Sequence, residues 1–410
     1  MGKKQERRWT DKRISFWRRT AVVFKTAPFA ILVLASGVFA LRETLLTPQM
    51  IGTLSLASYI LAFVGMAISA GFNRSPLFFI LLLLVLSQLA FSVPMAGALD
   101  SQSYFGVIYY FSSLLLPLNI LLFCLLKDRG TFTLQGRRRL GFIFVQLLMV
   151  AVVIISQDKE ILAYIGQELV SPAFSLDTPI PAKALAVIVA GLLFLFVRQM
   201  RRVSPVDNAC FHSLLALMLA FHYKVLALPL FYATTAAMLT VAAIKDSYAI
   251  AYLDELTGLP SRRSLQEELA KLGPKYTVAM VDIDFFKKIN DRYGHDVGDD
   301  VLRFIAALLG RDVPCEGKAF RYGGEEFILL FPEKEADEVE PCLEELRQNI
   351  ARRPFVLRSK GKDGEKQLSV TVSVGFAQRL PRHEKPEEVI KAADVALYRA
   401  KESGRNCIAG

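Results

Sequence analysis

Hydrophobic positions follow two regimes along the 410 residues. Up to about residue 250 they form long runs. A membrane-crossing helix needs roughly 20 apolar residues, because each backbone polar group must be satisfied within the segment. Eight such runs are read, near 20–41, 51–71, 76–98, 104–126, 140–156, 180–197, 209–223 and 225–244. The seventh is the weakest, being short and carrying His212 and His222. Beyond residue 250 the runs shorten and alternate in type. The pattern predicts a buried strand at 276–283, a short helix at 285–291, and an amphipathic helix at 296–309 with Val297, Val301, Phe304, Ile305 and Leu308 on one face. Strands at 318–322 and 326–331 flank Gly323-Gly324, a hairpin signal. A helix near 335–352, a strand pair ending in LSVTVSVGFAQ, and a helix near 386–403 complete the series. The expected fold is an α-helical polytopic membrane domain joined to an α+β domain with a largely antiparallel sheet flanked by helices.

Charge changes this picture by assigning sides. The chain carries a formal charge of +10, but residues 1–250 hold 23 Lys+Arg against 11 Asp+Glu, and residues 251–410 hold 26 against 28. The surplus belongs to the membrane half, so nucleic acid is not the expected partner. The basic stretch MGKKQERRWTDKRISFWRR, Arg74, Lys127 with Arg129 and Arg137 to Arg139, and Arg198 with Arg201 and Arg202 fall in every second loop. That alternation puts both termini on the cytoplasmic side by the positive-inside rule. No convincing cleavage site follows the first run, so it is read as a retained helix. Lys25 can snorkel at the end of its helix. His212, His222 and Lys224 are read as interfacial or bundle-facing groups in preference to ligand-binding or titrating ones, and ILAYIGQELV in the outer loop as an amphipathic interfacial helix or part of a ligand site. The expected division is a basic cytoplasmic stretch at 1–19, a membrane domain at 20–244, a helical signalling linker at 245–253 and a globular domain at 254–410. A helix begun at Val225 and only modestly broken at Pro229 would reach about Leu253. Some nine residues then separate membrane from domain, too few for a flexible tether.

Five cysteines show no C-x-x-C spacing. They predict neither a disulfide framework nor a zinc site, and are read as reduced packing residues.

The chemistry gathers in the C-terminal part. VDIDFFKKIND ends a buried strand on Asp282, where a carboxylate is costly without a positive partner. RYGGEEF puts Glu325 at a tight turn between strands. If those strands pair, two carboxylates and nearby backbone carbonyls converge at one end of the sheet. Such a set suits Mg²⁺, which takes few protein oxygens and completes its shell with substrate phosphates. The glycines allow close approach of a bulky ligand, and Lys287, Lys401 and Arg405 supply the positive charge phosphates require.

DELTGLPSRR, DIDFFKKINDRYGHDVGDD, RYGGEEF, SVGF and ADVALYRAKESGRN occur in this order and spacing. Together they resemble the GGDEF family of diguanylate cyclases over about residues 250–410. The resemblance implies a nucleotidyl-cyclase, palm-like domain that condenses two GTP into cyclic di-GMP, working as a homodimer beneath a bacterial inner-membrane sensor region of unassigned ligand. It implies that Asp282, the Ile283 carbonyl and Glu325 bind Mg²⁺, with Mn²⁺ as a substitute. Asn290 and Asp299 would read the guanine edge and His295 would line the nucleotide pocket. Backbone N–H groups at Phe285 and Phe286 would hold the triphosphate with Lys401 and Arg405. Lys287 would stabilise developing charge, and Glu325 or Glu326 would assist removal of the ribose 3′-hydroxyl proton.

The chain departs from the family pattern in two places. Glutamate replaces the commoner aspartate at Glu325, which keeps the carboxylate. Where many members carry an Arg-x-x-Asp product-inhibition site, this chain has Pro314, Cys315, Glu316 and Gly317, so inhibition through that site is expected to be absent. The competing readings are a catalytically silent receptor for GTP or cyclic di-GMP, a hybrid synthase also accepting ATP, and a transporter with a regulatory domain. Intact Asp282, Lys287, Asn290, Asp299 and Glu325 favour the cyclase, and no pair of interrupted helices with charged midplane residues supports a transporter.

Overall fold

The computed structural model describes residues 27–42, 46–92, 101–170, 178–201, 204–223, 225–357 and 366–410. The expected basic N-terminal stretch, Lys25 and Lys224 lie outside these residues. The chain divides into two compact units, Met1–Ser247 and Tyr248–Gly410.

The first unit is helical: α1 (Ala27–Ala40), α2 (Pro48–Gly71), α3 (Ser75–Ser92), α4 (Ser101–Leu125), α5 (Leu134–Ser156), α6 (Lys159–Val170), α7 (Ala182–Arg201), α8 (Pro205–His222) and the start of α9 (Leu228–Tyr252). Six of these, α2, α3, α4, α5, α7 and α9, are long and apolar enough to cross a membrane. The first expected span continues into residues that are not described. The seventh forms α8, which is helical but does not meet the length and apolarity of the six. Its His212 is buried, with Nδ1 2.9 Å from the Asn208 carbonyl one turn back. ILAYIGQELV is helical and falls within α6.

Polar pairs tie these helices together. Ser58 donates to Gln88 at 2.7 Å, Asn119 to Gln146 at 3.0 Å, and Ser87 lies 2.7 Å from the Tyr232 hydroxyl. In an apolar surrounding such groups find partners on neighbouring helices. Arg74 joins two loops to α9: its guanidinium lies 3.4 Å from Asp128 and 2.6 Å from Asp246. Pro229 falls in the first turn of α9, where its missing N–H costs no hydrogen bond. The helix therefore starts there, after a short 3₁₀ turn at Val225–Ala227, rather than breaking.

The second unit is built on a five-stranded sheet of β1 (Tyr276–Ile283), β2 (Lys318–Gly323), β3 (Glu326–Pro332), β6 (Val372–Gln378) and β7 (Ile408–Ala409), in the order β2-β3-β1-β6-β7. Three of its pairings are antiparallel and the β6–β7 edge is parallel. β1 is buried along its whole length. Ala279, Val281 and Ile283 face a core with Val301 and Ile305 of α12 (His295–Asp312) and Leu343 and Leu346 of α13 (Ala336–Ala351). Val278 and Met280 face a second core with Leu265 and Leu269 of α10 (Arg262–Leu269) and Val389 and Leu397 of α14 (Pro386–Glu402). Gly375 in β6 permits α14 to lie directly on the strand, because a Cβ there would collide with the Leu397 backbone nitrogen.

Two sequence expectations change. The strand pair expected to end in LSVTVSVGFAQ is divided between two sheets: β5 (Lys366–Leu368) forms a small separate hairpin with β4 (Phe355–Leu357), while β6 joins the central sheet beside β1. Two cysteines are also bridged: Cys315 and Cys342 form a disulfide with Cα atoms 6.4 Å apart across 27 residues of sequence. Spacing rules register cysteines that are close in sequence. This pair meets only because the α12–β2 turn packs beside α13.

Candidate active site

The site lies where β1 ends and β3 begins, with α11 (Phe286–Tyr293) and the chain after α14 beside them. Asp282 is opposite Glu326 in the β1–β3 register and opposite Ser373 in β1–β6. Its carboxylate is 5% exposed, and the Lys401 ammonium on α14 lies 2.9 Å from Oδ2. Burial pushes the Asp282 carboxyl up, Lys401 and Arg405 pull it down, and the net direction is upward. Glu325 and Glu326 are also raised, first by burial and then by the charge of Asp282. Three carboxylates therefore crowd one sheet end with an imperfect cationic balance, and a divalent cation would relieve that repulsion. Asp282, the Ile283 carbonyl and Glu325 fit such an ion as an open set. Among the described residues no three His, Cys, Asp or Glu side chains form a metal cage by themselves.

The β2–β3 turn is shaped to admit a ligand. β2 reaches Gly323 through a register shift after Arg321, and Gly323 pairs with Glu326. Gly324 has φ +47°, a conformation that favours glycine. A Cβ on Gly323 or Gly324 would meet nothing within 4 Å. Protein packing does not require these residues to be bare, so the space beside them is free for another molecule.

Phe285 turns the chain from β1 into α11 with φ +56°. Its ring is half exposed, with the Arg405 guanidinium 4.7 Å and the Lys288 ammonium 4.5 Å from the ring centre. Phe286 is buried and Lys287 is exposed. Along α11, Asn290 packs against Gly298 of α12 so closely that a Cβ on Gly298 would collide with Asn290 Oδ1. That oxygen is buried and has no hydrogen-bond partner among the described residues. An orphaned amide oxygen is expensive, and a base edge bearing N–H donors would satisfy it. Asp299, the next residue on α12, is partly exposed at the same corner, and His295 is exposed at the start of that helix.

The expected residues thus form two groups. Asp282, Glu325, Glu326, Lys401 and Arg405 gather at the sheet end, while Asn290 and Asp299 gather where α11 meets α12. Two further positions escaped sequence reading. Asp284 is buried and accepts hydrogen bonds from Thr371 Oγ1 at 2.7 Å, Ser373 Oγ at 2.6 Å and the Asn406 backbone N–H at 3.0 Å. It fastens the turn carrying Arg405 to β6. Arg321 pairs with Asp254 at 2.7 Å and donates to the Gly324 carbonyl at 2.9 Å. Asp254 also accepts from the Thr257 amide and hydroxyl. The DELTGLP turn and the glycine turn are therefore held by one guanidinium. The second acid of DID was a visible signal for Asp284; nothing in the sequence pairs Asp254 with Arg321.

Residues 251–407 match the family model described as "Diguanylate cyclase, GGDEF domain", and this part of the chain is a GGDEF domain. Response regulator PleD of Caulobacter vibrioides is 37% identical over 174 residues, 41% of this chain and 37% of PleD. Diguanylate cyclase DgcP of Pseudomonas aeruginosa is 39% identical over 170 residues, 40% of this chain and 24% of DgcP. The solved coiled coil and GGDEF domain of DgcB from Caulobacter crescentus, in complex with c-di-GMP, is 37% identical. That match covers 40% of this chain and 88% of the DgcB chain, with a TM-score of 0.37. The chain spans well under half the length of the two curated relatives.

Proposed function

We propose that the chain is a membrane-bound diguanylate cyclase that joins two GTP into cyclic di-GMP and releases two pyrophosphates. The observation that carries this reading is the buried Asp282–Lys401 pair beside the raised carboxyls of Glu325 and Glu326, against a glycine turn with open space before it. Asp282, the Ile283 carbonyl and Glu325 would hold Mg²⁺ or Mn²⁺. When bound, the cation neutralises triphosphate charge and polarises the phosphoryl oxygens. Lys401 and Arg405 hold phosphate oxygens, with the N–H groups of Phe285 and Phe286. Lys287 would stabilise the charge that develops there. Asn290 and Asp299 accept the guanine N–H donors, a choice that disfavours adenine, and His295 borders the base.

Each GTP supplies its 3′-oxygen to the α-phosphorus of the other. One P–O bond forms as the bond to pyrophosphate breaks, and Glu325 or Glu326 takes the hydroxyl proton. One domain holds one nucleotide, so ring closure needs two copies facing each other, and proximity supplies much of the rate. Turnover of Mg-GTP by the full detergent-solubilised chain tests the reading. The wild type should release two pyrophosphates per cyclic di-GMP, and Asp282→Ala and Glu325→Ala should each lose about a hundredfold or more. GTP binding without pyrophosphate release would leave a receptor instead.

Six long apolar helices, with α1 and α8 crossing beside them, put the basic residues of alternate loops on one side and support a multi-pass protein of the bacterial inner membrane with both termini in the cytoplasm. α9 runs unbroken to Tyr252, and this supports control of the cyclase by the membrane domain through that helix. Cross-linking α9 near Ile244–Leu253 should alter turnover; unchanged turnover under every cross-link would remove this control.

A further inference from the structure

We propose that the cavity between the α4–α5 loop and the start of α5 binds the phosphate of an anionic phospholipid headgroup. The cavity measures about 480 Å³, and Lys127, Arg129, Arg138 and Arg139 line it with no acidic side chain among its walls. Arg139 is buried and committed: it donates to Ser75 Oγ and, at 2.8 Å, to the Lys127 carbonyl, which fixes the loop. Asp128, the one acid in that loop, is engaged elsewhere. Its Oδ1 accepts from Ser75 and the Gly130 N–H, and its Oδ2 faces Arg74.

Lys127, Arg129 and Arg138 are exposed and have no ion pair or side-chain hydrogen bond among the described residues. The first turn of α5 holds no acid, so the helix end adds positive potential where cations already crowd. Three uncompensated charges around a cavity call for an anion.

The remaining walls choose between a free anion and a lipid. Leu126 and Phe142 border the cavity with 41% and 43% exposure. From there Val145, Met149 and Val152 continue the exposed face of α5 that carries Arg138 and Phe142. A headgroup phosphate held by the cations would have an apolar track for its acyl chain, which inorganic phosphate does not need. The basic loops are those assigned to the cytoplasmic face, where anionic lipid attracts Lys and Arg.

The site rests on the chain being membrane-embedded, and that premise has its own test: release by high-salt alkaline washing without detergent would overturn it. The site is tested by native mass spectrometry of the full chain in detergent, titrated with dioleoylphosphatidylglycerol or dioleoylphosphatidylcholine. Phosphatidylglycerol should bind at least tenfold more tightly. The Lys127→Gln/Arg129→Gln/Arg138→Gln variant should lose that preference and Arg138→Lys should keep it. Arg137→Gln is the control, because Arg137 is exposed and adjacent in sequence but does not line the cavity. Equal binding of the two lipids overturns the proposal. An Arg137→Gln loss as large as that of the triple variant assigns the effect to diffuse surface charge and also overturns it. Displacement of phosphatidylglycerol by inorganic phosphate alone overturns the choice of a lipid.

Discussion

Replacing Asp284 tests whether the turn carrying Arg405 is held by one buried carboxylate. Its Oδ2 accepts from Thr371 and the Asn406 N–H, and its Oδ1 accepts from Ser373. Hydrogen bonds to a charged acceptor contribute roughly 1.5–3 kcal/mol each. The two hydroxyls can rotate to other acceptors, but the Asn406 amide cannot. Asp284→Ala should therefore destabilise the Asn406 segment by about 3 kcal/mol, which is about a hundredfold in local opening. In Asp284→Asn the amide oxygen keeps Thr371 and Asn406, and its NH₂ meets Ser373 Oγ, which can turn to accept. That variant should cost only about 1 kcal/mol. Peptide-resolved amide hydrogen exchange on the full detergent-solubilised chain reads both values over residues 371–378 and 403–410. GTP affinity should fall with Asp284→Ala, because Arg405 belongs to the loosened turn. Wild-type exchange in Asp284→Ala, or equal losses in the two variants, would refute the assignment.

Other expectations concern neighbouring parts of the domain. Gly298→Ala forces a methyl into Asn290 Oδ1 and to 3.3 Å from the Phe286 ring; it should destabilise by about 1–3 kcal/mol and raise the KM for GTP at least tenfold, read by nucleotide titration. Burial raises the Asp254 carboxyl, but its bonds from Thr257 and Arg321 outweigh this and leave it below the usual aspartate range. Its stabilising contribution is therefore complete above that range and lost as the pH falls through the folded value, below about pH 4; Arg321→Met should flatten the acid limb of thermal stability in that window. Residues 314–317 form a turn closed by Gly317 N–H donating to the Pro314 carbonyl at 3.2 Å and bridged through Cys315 to Cys342. Added cyclic di-GMP should not inhibit turnover through this segment, and inhibition that maps there would contradict the expectation.

Much of the second unit was legible because its sheet is buried on both faces. The continuous apolar run at Tyr276–Ile283 reads as a strand at either end, and the glycine pair between two short runs reads as a turn. The α10 helix was harder to see: it has only eight residues, and Leu265 and Leu269 are its sole buried positions. β7 is two residues long and gains its identity from pairing with β6, not from its own pattern. In the first unit, Pro117 lies inside α4 without ending it, so apolar length outweighed the local breaker. Among site residues, those in contiguous motifs were visible. The bonds from Asp284 to Thr371, Ser373 and Asn406 span 87 to 122 positions, and no local pattern encodes such distances.

The empty surroundings of Gly323 carry an evolutionary consequence. A methyl added there touches no protein atom and needs no unusual backbone angle. Selection for folding alone would therefore let this position drift, and in the proposed function only the incoming nucleotide would police it. A lineage freed from making its product could lose turnover by a single silent-to-folding substitution while retaining a well-formed domain able to serve as a binding partner.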